Sequence, residues 1–223
     1  MLAESGSKVE PRQREREPQA GETPALQSPR GWHSRGYLPH FDGGEIHQTV
    51  TFRLADAFPA DRLEAWRWEL RLLTPDRLNA ELRHRIEDYL DLGHGACYLK
   101  RREIAEMVQD ALLFFDGQRY QLVAWVVMPN HVHAIFLPLV GYTLTGILHS
   151  WTSYTSKMAN RALRRAGQFW GEDYFDRYIR DEDHFLAAIA YIESNPVKAG
   201  LVAGPADWPY SSAPCRSAGV PPA

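Results

Sequence analysis

Residues Ala124–Leu137 read AWVVMPNHVHAIFL, and the fold turns on this stretch. Two apolar runs flank Pro129-Asn130, a pair suited to a tight turn, so the pattern predicts a hairpin of strands Arg119–Met128 and His131–Leu137. His131 and His133 stand two apart, and the strand period puts both imidazoles on one face of the sheet. Two such rings in the middle of an apolar hairpin need partners, and one shared metal ion would supply them. Two histidines on a half-exposed strand are the plainer alternative.

Working outward, Glu45–Leu54 is β-branched and aromatic enough for another strand. Ala60–Leu73 reads as a helix stopped at Thr74-Pro75. The segment 76–91 reads as a second helix with Leu78, Leu82, Ile86 and Leu90 on one face. Arg101–Phe115 is helical and ends at Asp116-Gly117. Thr143–Arg165 is a long helix with Ile147, Trp151, Tyr154 and Met158 as its buried stripe. Trp170–Ile179 is extended, and Asp181–Asn195 is a helix that Pro196 terminates. With 76–91 taken as a helical insertion, the order is β-α-β-β-α-β plus a final helix. That is an α+β, ferredoxin-like arrangement: an antiparallel sheet with helices packed on it.

The 223 residues are 44% hydrophobic and 24% charged, ordinary globular composition for a single folded body over about 31–211. Residues 1–30 hold no aromatic residue and four prolines, so a disordered tail is expected there. A second frayed segment is expected over 212–223. Two cysteines, Cys97 and Cys215, argue against a disulfide-built domain and a zinc finger. No apolar run is long enough to span a membrane, and no signal peptide is evident, so a cytoplasmic protein is expected.

On the last helix, Phe185, Ile189 and Ile192 form the core stripe. Tyr191 and Asn195, one turn apart, share a column beside it with His184. A half-buried ring and a helix-end amide would explain that column without chemistry. Between Asp116 and Glu172 there is no acidic residue, although the chain has 28 Asp and Glu. Lys157, Arg161 and Arg164 lie in that window, projecting from the long helix. The missing acids favour a positive field around the histidines even at net charge −3. A solvated helix face is the ordinary explanation of the cations.

MPNHVH (Met128–His133) and YIESNPVKAG (Tyr191–Gly200) together resemble the single-tyrosine HUH transposases, in the REP-associated branch of the IS200-like family. RGYLPH (Arg35–His40), TFRLAD (Thr51–Asp56) and DYFDRYIRD (Asp173–Asp181) resemble the same branch, and the likeness covers about 31–210. The resemblance implies a metal-dependent endonuclease and strand transferase acting on single-stranded DNA next to hairpins such as REP-like repeats. It implies Tyr191 as catalytic nucleophile through a 5′-phosphotyrosine, and His131 and His133 as ligands of Mg²⁺ or Mn²⁺. Asn195 would complete the metal site, one methylene shorter than the Gln often found there. Lys157, Arg161 and Arg164 are expected to bind DNA, and His184 is the candidate acid/base group on spacing. The chain is expected to act as a monomer or homodimer. A non-catalytic nucleic-acid-binding module and a water-activating metal phosphodiesterase are the alternatives.

Overall fold

The computed structural model describes residues 31–34 and 39–218. The expected tail at 1–30 lies outside them. Strands β1 (Gly31–Ser34) and β2 (Pro39–Asp42) pair antiparallel as a small ribbon. Strand β3 (Gln48–Arg53) leads into helices α1 (Ala60–Leu70), α2 (Pro75–Asp91) and α3 (Arg102–Leu113). The hairpin β4 (Tyr120–Val127) and β5 (His131–Pro138) follows, then α4 (Leu144–Ala162), β6 (Phe175–Tyr178), α5 (Glu182–Lys198) and α6 (Ala213–Ser217).

The main sheet has the order β4-β5-β3-β6, with every neighbouring pair antiparallel. This is the ferredoxin-like order, with β5 and β3 in the centre. A bulge between Leu122 and Ala124 resets the alternation of β4, so Ala124, Val126 and Met128 share a face with Ile135. The opposite face, carrying Phe52, Val132 and Phe136, is covered by α3 and α4. Trp151 on α4 sits edge-on to Tyr120 and Phe136 there, and its indole donates to the Tyr120 hydroxyl at 2.9 Å.

Three details differ from the expectations. On α4 the buried stripe is Leu144, Ile147, Leu148, Trp151, Thr155 and Ala159. Tyr154 is 52% exposed. The β-branched Thr155 is buried in its place because its hydroxyl accepts from the Trp170 indole at 2.8 Å and donates to the Trp151 carbonyl at 2.7 Å.

On α5 the helix runs through Pro196 to Lys198. The proline ring removes one backbone donor near the end, where little helix remains to be disrupted. What stops the helix is Gly200, at φ 69°, with the Gly200 amide bonded to Val197 and the Leu201 amide to Pro196.

At the C-terminus, Ser212 and Ala213 are buried, and residues 219–223 of the segment expected to fray lie outside the described residues. Backbone bonds from Val127 to Tyr210 and from Ser212 to Trp125 cover the otherwise open edge of β4.

Candidate active site

The site forms where the α5 face of the sheet meets the end of α2. On β5, His131 and His133 alternate with Val132 and Ala134, which belong to the other face, and both imidazoles are buried. Thr51 on β3 is the cross-strand partner of His133. Its hydroxyl lies 2.7 Å from His133 Nδ1.

Asn130 does more than make a turn. Its amide nitrogen donates to the His94 carbonyl at 3.0 Å, which turns its oxygen toward His131 Nδ1 at 2.8 Å. His131 therefore carries its proton on Nδ1 and presents a bare Nε2. That Nε2 lies 3.0 Å from Nε2 of His133. Burial, followed by the charge of Lys198, pushes the His133 pKa down to about 3. Burial also drives His131 well below its ordinary value, with His133 and Lys198 adding to it. Both rings are neutral near pH 7. Two neutral nitrogens facing each other at this distance need a proton or a cation between them. The Thr51 hydroxyl serves either case, since it can donate to His133 Nδ1 or accept from it.

Tyr191 on α5 faces this pair, its ring edge-on to His133 with centroids 5.8 Å apart. Asn195, one turn on, is fully buried, and among the described residues neither its amide oxygen nor its nitrogen has a hydrogen-bond partner. Unsatisfied buried amides are costly, so this one is poised for a ligand. Among the described residues, no three His, Cys, Asp or Glu side chains converge as a metal cluster. The donor set of two imidazoles and a free amide nevertheless fits a divalent ion. With their Nε2 atoms 3.0 Å apart, both imidazoles could bind one such ion.

The local field is not the positive one expected from the acid-free window. Helix α2 brings Glu87, Asp88 and Asp91 to the site. The Tyr191 hydroxyl donates to Glu87 Oε2 at 3.1 Å. Asp91 Oδ1 lies 3.8 Å from His131 Nε2. Lys198, held in place because α5 passes Pro196, reaches Asp88 and Asp91 at 3.1 Å each and lies 5.7 Å from the Tyr191 ring centroid. Burial, then Glu87 and Asp91, pushes the Tyr191 phenol well above its ordinary value. These acids were readable as an anomaly. Three carboxylates end α2 with no base in its last turn, against the helix dipole, and such a local inconsistency often marks a site.

A groove of about 910 Å³ opens from Tyr191, His133 and Thr51 toward Arg83, Arg177 and Arg180. None of these three arginines has an ion-pair partner among the described residues, and the charges of Arg83 and Arg180 add to burial in lowering the Arg177 pKa. His184 lines the same groove, but its Nδ1 accepts from the Arg180 backbone at 3.2 Å, and the phenol's partner is Glu87. Lys157, Arg161 and Arg164 are not brought to the histidines: α4 covers the opposite face of the sheet.

An HxH pair, a facing tyrosine and an amide one turn later on a ferredoxin-like sheet form the arrangement expected from the resemblance to single-tyrosine transposases. Residues 100–195 match the family described as Transposase IS200 like, a segment that holds His131, His133, Tyr191 and Asn195. The chain is 27% identical over 110 residues to the REP-associated tyrosine transposase of Escherichia coli (strain K12), covering 48% of this chain and 63% of that protein. It is 31% identical over 104 residues to a putative REP-associated tyrosine transposase of Haemophilus influenzae, covering 42% of this chain and 58% of the relative. In both cases the match spans less than two thirds of the relative's length. A solved REP-associated tyrosine transposase, itself bound to a REP hairpin, superposes with TM-score 0.50 at 18% identity over 85% of this chain and 87% of its own. The fold is shared, and the family resemblance carried by the two motifs holds. Among the described residues no helix is long and apolar enough to cross a membrane.

Proposed function

We propose that this protein nicks and rejoins single-stranded DNA beside hairpins, with Tyr191 as the nucleophile. One observation carries the reading: the tyrosine, the neutral histidine pair and an unsatisfied amide meet on one face of the sheet. Attack by the phenolic oxygen forms an Oη–P bond and breaks P–O3′, leaving a 5′-phosphotyrosine and a free 3′-hydroxyl. The aryl phosphodiester conserves the energy of the broken bond, so a 3′-hydroxyl can reverse the step and join strands without ATP. His131, His133 and Asn195 would hold Mg²⁺ or Mn²⁺, whose chemistry there is to polarise the scissile phosphate. The half-buried ring of Tyr191, packed against His133, limits the angles from which the phosphorus can be approached.

Hairpin DNA as partner is supported by the hairpin-bound relative, and the arginines of the groove suit a phosphate backbone. Lys157 and Arg161 on α4, with Arg164 just beyond its end, are proposed as a second DNA-contacting face. The cytoplasm, where chromosomal DNA lies, is the compartment this activity needs.

The test is a denaturing gel of the full chain with labelled DNA hairpins carrying randomised single-stranded flanks, with Mn²⁺ or with EDTA. A metal-dependent protein–DNA adduct is expected, lost when His131 and His133 are both replaced by Ala. Cleavage without any adduct would instead support the water-activating phosphodiesterase.

A further inference from the structure

The nucleophile needs a proton acceptor, for which the sequence offers His184 on spacing alone, with a metal-bound water as an equal alternative. The structure offers a different group. Tyr191 Oη donates its hydrogen bond to Glu87 Oε2 at 3.1 Å, within the reach required of a general base. Glu87 sits on α2, outside the segment that matches the transposase family. Its position is determined: α2 is anchored by Leu82, Ile86 and Leu90 in the main core, while Lys198 bridges Asp88 and Asp91 to α5. The same two helices that fix the phenol thus fix the carboxylate.

We infer that Glu87 is the general base of strand cleavage and the general acid of strand joining. The inference rests on the reading of Tyr191 as nucleophile. In cleavage the Oη–P bond forms, P–O3′ breaks, the phenolic proton passes to Glu87 Oε2, and the departing 3′-oxygen takes a proton from solvent. In joining, the 3′-hydroxyl loses its proton to solvent and attacks phosphorus, P–Oη breaks, and Glu87 returns its proton to the phenolic oxygen. Burial raises the Glu87 pKa, which makes it a stronger base than a solvated carboxylate. A tyrosine phenol ordinarily titrates at about 10, so it does not ionise unaided at neutral pH. A base already touching the hydroxyl is what such a nucleophile requires.

The experiment compares single-turnover adduct formation by the full-length wild type, Glu87→Gln and Glu87→Ala on hairpins with randomised flanks in Mn²⁺, alongside hairpin affinity. Glu87→Gln keeps the shape and a hydrogen-bonding oxygen but loses the basicity. It is expected to slow adduct formation by about 100-fold or more, with hairpin affinity unchanged. Glu87→Ala is expected to be as slow and to be partly restored by added formate, a small base that fits the vacated space. A Glu87→Gln rate equal to or above wild type overturns the inference and makes the Glu87–Tyr191 bond a latch on the tyrosine. Slowing that formate does not relieve, or that comes with weakened hairpin binding, also overturns it, in favour of a positioning role. An absent wild-type adduct overturns the nucleophile reading and this inference together, which separates that failure from the others.

Discussion

The two faces of the sheet are built on opposite terms. On the α3/α4 face, Phe52, Phe136, Trp151 and Tyr120 fill a wide apolar layer, and a hydrogen-bond chain runs through it from the Trp151 indole through the Tyr120 hydroxyl to the Leu112 carbonyl. On the α5 face the apolar cluster shrinks to Ala124, Val126, Met128, Ile135 and Ile192. Beside it lie two buried neutral histidines, an amide with no partner among the described residues, and a phenol against a carboxylate. One face follows the packing rules that give stability. The other breaks them where a ligand and a reacting group would complete it.

The largest effect expected from this contrast is at Tyr191. Tyr191→Phe keeps the ring against His133 and removes only the hydroxyl, whose bond to Glu87 contributes about 1 kcal/mol. Thermal unfolding should barely move while adduct formation falls to background. An adduct that persists would place the nucleophile elsewhere, with Tyr178 and Tyr174 next in line.

The converse change is on the other face. Trp151→Ala removes a fully packed ring and leaves the Tyr120 hydroxyl one partner short, so unfolding in urea should show a destabilisation of about 3–5 kcal/mol. Adduct formation per folded molecule should stay at the wild-type rate. A specific loss of activity at full stability would mean the two faces are not separable.

The contrast also explains what could be read from the sequence. The hairpin, the histidine pair and the Tyr191–Asn195 column were legible because each rests on local periodicity, two residues in a strand and three to four in a helix. The α2 acids stood out only as an anomaly against the helix dipole, and their meeting with Tyr191 was not legible, because it depends on how an extra helix returns to the sheet, which no period encodes. Thr51 was hidden for a related reason: its role follows from the β3–β5 register. Tyr154 and Thr155 exchanged places because two indole-linked hydrogen bonds outweighed hydrophobicity.

A third buried polar group sits at the far edge of the sheet and gives a smaller effect. His40 on β2 meets Asp176 at 2.5 Å and Asp173 at 2.8 Å, tying the β1–β2 ribbon to β6. Burial opposes the charge, but the hydrogen bonds to the two aspartates outweigh it and raise the pKa to about 9. The folded pKa exceeds the unfolded one, so this stabilisation is complete below about pH 6.5 and fades as the pH rises through about 9. Chemical denaturation across that window should show the decline in wild type and not in His40→Gln. An identical slope in both would remove His40 from the account.

The last and smallest effects decide which basic surface meets DNA. Lys157, Arg161 and Arg164 lie behind the sheet, whereas Arg83, Arg177 and Arg180 line the groove that ends at Tyr191. Deleting one cation that neutralises a phosphate of a single strand lowers the salt slope of binding by about 0.7. Replacing the groove triad by Ala should therefore reduce the slope by about 2 and slow adduct formation. Replacing the α4 triad should change the slope only if the DNA is long enough to pass behind the sheet. Arg164 offers a finer probe, since it occupies the left-handed position closing α4, at φ 51°, where glycine is preferred. Arg164→Gly relieves that strain and should raise stability by up to about 1 kcal/mol while deleting one charge. If hairpin affinity falls as the protein grows more stable, the arginine is kept there for its charge. Unchanged affinity would leave α4 a solvated face.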